Sequence, residues 1–138
     1  MGGDILMKIQ ESAENYLETI LMLGKAKGNV RSIDIATALS FSKPSVSVAM
    51  KNLRENGYIL MDKDGFIALT EKGHEIAETI YERHTLLSSF LMYLGVSKET
   101  ATQDACRIEH VISPESFEAL KQHVYSHKEI MDIKDVKI

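Results

Sequence analysis

Two short amphipathic stretches separated by three residues constrain this chain more than any other feature. Ile33, Ile35, Ala36 and Leu39 form an apolar stripe that Ser32 can cap. Val46, Met50 and Leu53 form a second stripe at helical spacing. The intervening Ser40-Phe41-Ser42 is too short for anything but a tight turn. Ser42 can cap the second helix, whose first turn accepts Pro44 because the N–H that proline lacks would be unpaired there anyway. Gly57 stops that helix. Tyr58-Ile59-Leu60-Met61 and Phe66-Ile67-Ala68-Leu69 then read as two strands around an Asp62-Lys63-Asp64-Gly65 turn.

A helix is expected ahead of this unit, from about Ser12 to about Lys25, on the spacing of Ala13, Tyr16, Leu17, Ile20, Leu21 and Leu23, with Gly28 ending it. Three helices are expected after it. The first runs from a Thr70 cap to about Tyr93, with Ile76, Ile80, Leu87, Phe90 and Leu91 as its apolar positions. The second runs from a Ser97 cap to about Val111, and the third from Ser113-Pro114 to about Ser126. The tail from Lys128 to Ile138 shows no clear period. The fold class is therefore mainly α: an N-terminal winged helix-turn-helix with a small β-hairpin wing over residues 1–73, and a helical domain over 74–138 that suits dimerisation.

Composition narrows the function classes. At 44% hydrophobic and 26% charged residues, the chain is an ordinary globular protein. No apolar run approaches the ~20 residues that span a bilayer, and the start lacks the pattern of a secretory signal. A lone Cys106 excludes an intrachain disulfide and any multi-cysteine zinc module, and a reducing cytoplasm is the expected setting. The 16 Lys and Arg against 20 Asp and Glu leave a net charge of −4, which does not by itself suggest nucleic-acid binding. Lys43, Lys51 and Arg54, however, face only Glu55 over residues 43–56, a basic island in an acidic protein.

That island lies on the helix that would enter the major groove. Its outer face would present Lys43, Ser45, Ser47, Val48, Lys51 and Arg54, with Ser42 and Pro44 at its start. Small hydroxyls suit phosphates and base edges, and Val48 suits a thymine methyl. Lys51, Arg54 and Lys63 at the hairpin tip suit phosphates. The alternative is a solvated amphipathic helix with ordinary surface charges.

The sharpest chemistry is at Cys106-Arg107-Ile108-Glu109-His110. On a helix, Cys106, Glu109 and His110 share a face, giving a thiolate, a carboxylate and an imidazole as ligands for a divalent transition metal. The alternative is a buried cysteine beside a surface Glu-His pair. Asn15 and Glu18 on the first helix, and His84 midway along the long one, could complete such a site.

With both halves in view, the sequence resembles the diphtheria toxin repressor (DtxR/MntR) family of metal-dependent transcriptional regulators. The resemblance runs from about Gln10 to about Ser126. It is carried by Glu14-Asn15-Tyr16-Leu17-Glu18-Thr19-Ile20, Asp34-Ile35-Ala36, Pro44-Ser45-Val46-Ser47, Leu69-Thr70-Glu71-Lys72-Gly73, Arg83-His84 and the run from Asp104 to Ser113. It implies a homodimer that binds palindromic operator DNA when loaded with Fe(II) or Mn(II), and represses metal-uptake genes. Neither a membrane nor a small organic substrate is implied. By position, Cys106, Glu109, His110 and His84 match family ligands, and Glu18 matches a carboxylate of the manganese-type branch. Asn15 departs from that branch's aspartate. Ser88 and Thr102 stand where longer relatives carry a glutamate and a histidine ligand.

The soft Cys106 ligand favours Fe(II) over Mn(II), with Zn(II) or Co(II) possible in vitro, whereas Glu18 and a length expected of the shorter, manganese-type members pull toward manganese; the balance is slightly in favour of Fe(II). Two other readings remain open at this point. One is a metal-independent winged-helix regulator or interaction module. The other is a small metalloenzyme, or an enzyme with Cys106 as nucleophile and His110 as base.

Overall fold

In the computed structural model, residues 2–127 are described, with side chains from Gln10 onward; the tail from Lys128 lies outside them. The order is α1 (Gly2–Lys27), α2 (Ser32–Leu39), α3 (Lys43–Glu55), β1 (Ile59–Met61), β2 (Ile67–Leu69), α4 (Glu71–Tyr93), α5 (Lys98–Ile108) and α6 (Pro114–Tyr125). Two compact units result, 1–78 and 79–138, with the division falling inside α4.

In the first unit, α1 starts ten residues before the expected Ser12. No proline precedes that serine, and Gln10 and Glu11 are good helix formers, so nothing local halts the helix. Leu17, Ile20 and Leu21 of α1 are buried, as are Ile35 and Ala36 of α2 and Val46, Met50 and Leu53 of α3. Two details of α2 differ from expectation. Ser32 is its first residue rather than its cap: the Arg31 amide donates to Asp34 Oδ2 at 2.8 Å, so the Asp34 carboxylate closes the helix start. Ile33 is 45% exposed and lies outside the core.

Ser40 ends α2 with φ 57°, and the Phe41 amide reaches back to the Ala36 carbonyl. Ser42 then caps α3 as expected, accepting from the Ser45 amide. β1 and β2 pair antiparallel with Ile59 opposite Leu69 and Met61 opposite Ile67. The wing gains a third partner, because the Ile67 amide donates to the Val30 carbonyl at 2.8 Å.

The Thr70-Glu71-Lys72-Gly73 run has a clear physical role. Thr70 Oγ1 donates to the Gly57 carbonyl and accepts from the Gly73 amide, capping α4. Lys72 donates to the Asn56 carbonyl, with its ammonium over the Tyr58 ring. Gly73 lies so close to Tyr58 that a Cβ would overlap the Tyr58 carbonyl oxygen. The start of α4 is thereby fastened to the end of α3 and to β1.

In the second unit, Leu86 of α4 packs with Phe117 and Val124 of α6, joined by Phe90, Ile112 and Leu120. Ala101 and Ala105 of α5 are fully buried. Ser97 and Ser113 cap α5 and α6 as expected. Among the described residues no helix is long and apolar enough to cross a membrane.

Two stability predictions follow from these contacts. Gly73→Ala should destabilise the protein by on the order of 3 kcal/mol, since backbone must move to admit the methyl group. Gly24→Ala, at a helical position with open space around it, should instead stabilise by roughly 0.5–1 kcal/mol. Paired thermal melts would show opposite shifts in Tm.

The second concerns Asp34. The Lys27 ammonium, donating to Asp34 Oδ1 at 2.6 Å, and the Arg31 amide hold its carboxyl below the ordinary carboxylate pKa. A lowered native pKa means that the unfolded chain takes up the proton more readily. The stabilisation is therefore complete above the ordinary value and disappears as pH falls through the lowered one. Asp34→Asn should cost roughly 0.5–1 kcal/mol by urea denaturation near neutral pH, a deficit that closes in acid.

Candidate metal centre and DNA-binding face

The buried polar cluster of the second unit is built on α4 and the turn after α5. His84 lies on the inner face of α4 beside buried Leu87 and Ser88, and is itself 5% exposed. The regular part of α5 stops at Ile108, short of the expected Val111, so Glu109 is its C-cap and His110 begins a turn. Glu109 is fully buried. His84 Nδ1 lies 2.7 Å from Glu109 Oε2, and His110 Nε2 lies 3.3 Å from Glu109 Oε1. One carboxylate thus has an imidazole at each oxygen, in a setting closed to water.

This donor set fits a divalent first-row ion. Imidazole nitrogen and carboxylate oxygen are the ordinary ligands of such ions, and burial on packed elements keeps the groups together. His84 and Glu109 would hold the ion, with His110 beside the second carboxylate oxygen, and the ion would supply a compact positive charge neutralising the buried carboxylate.

The remaining candidates stand differently. Cys106 is exposed. Both sequence alternatives for this stretch therefore miss the arrangement, which is an exposed cysteine beside a buried Glu-His pair. In the first unit, Glu18 is buried at 4% exposure on α1, and Asn15 is half-buried with its carbonyl accepting from Thr19 Oγ1 at 2.8 Å. Ser88 turns its hydroxyl onto the His84 carbonyl at 2.7 Å.

On the first unit, Ser42, Lys43, Pro44, Ser45, Ser47, Val48, Lys51 and Arg54 are all exposed, while Val46, Met50 and Leu53 face inward. Lys63 is exposed in the wing turn, where Asp62 Oδ1 accepts from the Asp64 and Phe66 amides. Ser32 and Ile33 of α2 and Lys43 and Ser47 of α3 line a surface hollow of about 190 Å³.

Residues 8–67 match the family described as iron dependent repressor, N-terminal DNA binding domain, and residues 70–130 match iron dependent repressor, metal binding and dimerisation domain. The chain belongs to the DtxR/MntR family. It is a metal-dependent transcriptional regulator and not an enzyme. Among its relatives in this family, the HTH-type transcriptional regulator MntR of Bacillus subtilis is 35% identical over 127 residues, covering 91% of this chain and 89% of that one. MntR of Geobacillus kaustophilus is 39% identical over 102 residues, covering 74% and 72%. The structure of the manganese regulator SloR matches with a TM-score of 0.73 at 31% identity, over 82% of this chain. The chain spans 53% of that regulator's length.

Sequence reasoning passed over Arg83 except as a neighbour of His84, because nothing in spacing reveals where a guanidinium ends. Cys106 offers a clean test of the donor set. Cys106→Ser should leave Mn(II) affinity within about threefold, against the roughly 10- to 100-fold expected for loss of a group that matters to a metal site. Co(II)-loaded parent protein should lack the near-ultraviolet thiolate-to-cobalt band.

Proposed function

We propose that this protein represses metal-uptake genes in the cytoplasm, binding palindromic operator DNA as a homodimer when loaded with Mn(II). The observation that supports the metal reading best is the buried carboxylate of Glu109 with an imidazole at each oxygen. Its ligands are His84, Glu109 and His110, together with Glu18 from the first-helix position that the family resemblance assigns. Asn15 is the further candidate of the set, whereas the exposed Cys106 stands outside it.

Mn(II) is preferred to Fe(II) for two reasons. The case for iron leaned on a thiolate, and Cys106 is exposed while the buried donors are oxygen and imidazole. Relatives of known structure are also described as manganese regulators and manganese-activated repressors.

The DNA contacts are assigned to α3 and the wing. Ser42, Lys43, Pro44, Ser45, Ser47 and Val48 meet the groove, and Lys51, Arg54 and Lys63 meet phosphates. The functional division falls between residues 73 and 74, with DNA binding before it and metal binding and dimerisation after it. Exposed Tyr93, Leu94, Val111 and Tyr125 offer apolar surface for the second copy.

The deciding experiment selects a duplex from a random library with Mn(II)-loaded protein. Affinity is then titrated against Mn(II), anaerobic Fe(II), Zn(II), Co(II) and chelator. Mn(II) should tighten binding by about 5- to 150-fold, the usual span of coupling between two sites. Glu109→Gln should keep the helical circular dichroism spectrum and lose the metal response. Affinity that a chelator leaves unchanged would refute the metal switch.

A further inference from the structure

Glu109 and His110 do not sit on a helix. They occupy the turn 109–112 that follows α5, and the last carbonyls of a helix lack partners within it. Two of those turn carbonyls converge on one side chain. Arg83 Nη1 donates to the Glu109 carbonyl at 3.1 Å and to the Ile112 carbonyl at 3.0 Å, the two ends of the turn. The guanidinium lies over the Phe117 ring, 5.4 Å from its centroid, which holds it from a third direction.

The neighbouring residue completes the grip. His84 meets the Glu109 carboxylate at 2.7 Å, so successive residues of α4 hold the same glutamate by its backbone and by its side chain. Successive helical side chains diverge by about 100° around the axis, so the turn has to lie across α4 for both contacts to form. A cation at a helix C-terminus also suits the negative end of the α5 dipole. The geometry does more than neutralise charge, because it closes the turn as a staple closes a loop.

We propose that Arg83 is a positioning residue of the metal centre, holding the 109–112 turn so that the Glu109 carboxylate and the His110 ring are in place before an ion arrives. The assignment rests on the reading of His84, Glu109 and His110 as ligands. Arg83 touches no ion itself; it acts by sparing the turn the ordering that binding would otherwise impose. A planar guanidinium spanning two carbonyls while stacked on a ring is not reproduced by the point charge of lysine.

The test uses the full chain without DNA, with Co(II) and Mn(II) alone as probes. Arg83→Gln and Arg83→Lys should weaken both ions by about 10- to 100-fold and change the intensity of the Co(II) visible bands. Millimolar guanidinium added to Arg83→Ala should recover part of the loss. Val124→Ala, which opens a cavity in the same apolar core and keeps the Phe117 ring, should bind both ions within about threefold of the parent. If Arg83→Gln does not fold, Arg83→Lys carries the comparison, since it keeps the stem and the charge. Folded Arg83 variants with the parent's affinity and cobalt spectrum would overturn the assignment alone, as would an equal loss in Val124→Ala. A parent that binds neither ion overturns the metal reading, and the assignment with it.

Discussion

A fully buried carboxylate dictates how the second unit is organised. A carboxyl group taken out of water is costly without close partners, and Glu109 has the His84 imidazole 2.7 Å from one oxygen and the His110 imidazole 3.3 Å from the other. Those partners come from α4 and from the residue next along the chain, so α4 and the α5–α6 connection are committed to one another at this point. The apolar packing of Leu86 against Phe117 and Val124 ties α4 to α6 as well. Polar and apolar parts of the unit therefore reinforce a single arrangement.

The first unit is held together by different means. Its core is an ordinary set of aliphatic side chains, and what makes it specific is the set of polar contacts at the ends of helices. Asp34 closes α2, Ser42 closes α3 and Thr70 closes α4, each by accepting from a backbone amide. Each of these residues also fixes a change of chain direction. With the turns so determined, the outer face of α3 is left exposed and carries Ser45, Ser47, Val48 and Lys51.

Most of this architecture was legible in the sequence because local signals and the fold agree. The serines before α3, α5 and α6 mark starts that the structure reproduces, and Gly57 and Gly65 fall where the backbone takes positive φ. Errors arose where a local signal had a competitor. Ser32 is a good capping residue, but the Asp34 carboxylate two positions on performs the task. Ile33 fits a helical stripe, yet it borders a surface hollow. At the metal centre, spacing indicated the cluster but not its burial: α5 ends at Ile108, Glu109 and His110 turn inward, and Cys106 stays outside. Arg83 was invisible for a related reason, since its partners are main-chain carbonyls that no residue type announces.

The turn of the wing has a further consequence. With the Asp62 carboxylate collecting the amides of Asp64 and Phe66, and Gly65 supplying the positive φ, the loop bearing Lys63 has one settled conformation. A long cationic side chain mounted on such a base loses only its own rotamer freedom on meeting a partner, because the backbone beneath it is ordered already. The hairpin can thus behave as a stiff finger, whose grip is governed by ionic strength rather than by the cost of folding a loose loop.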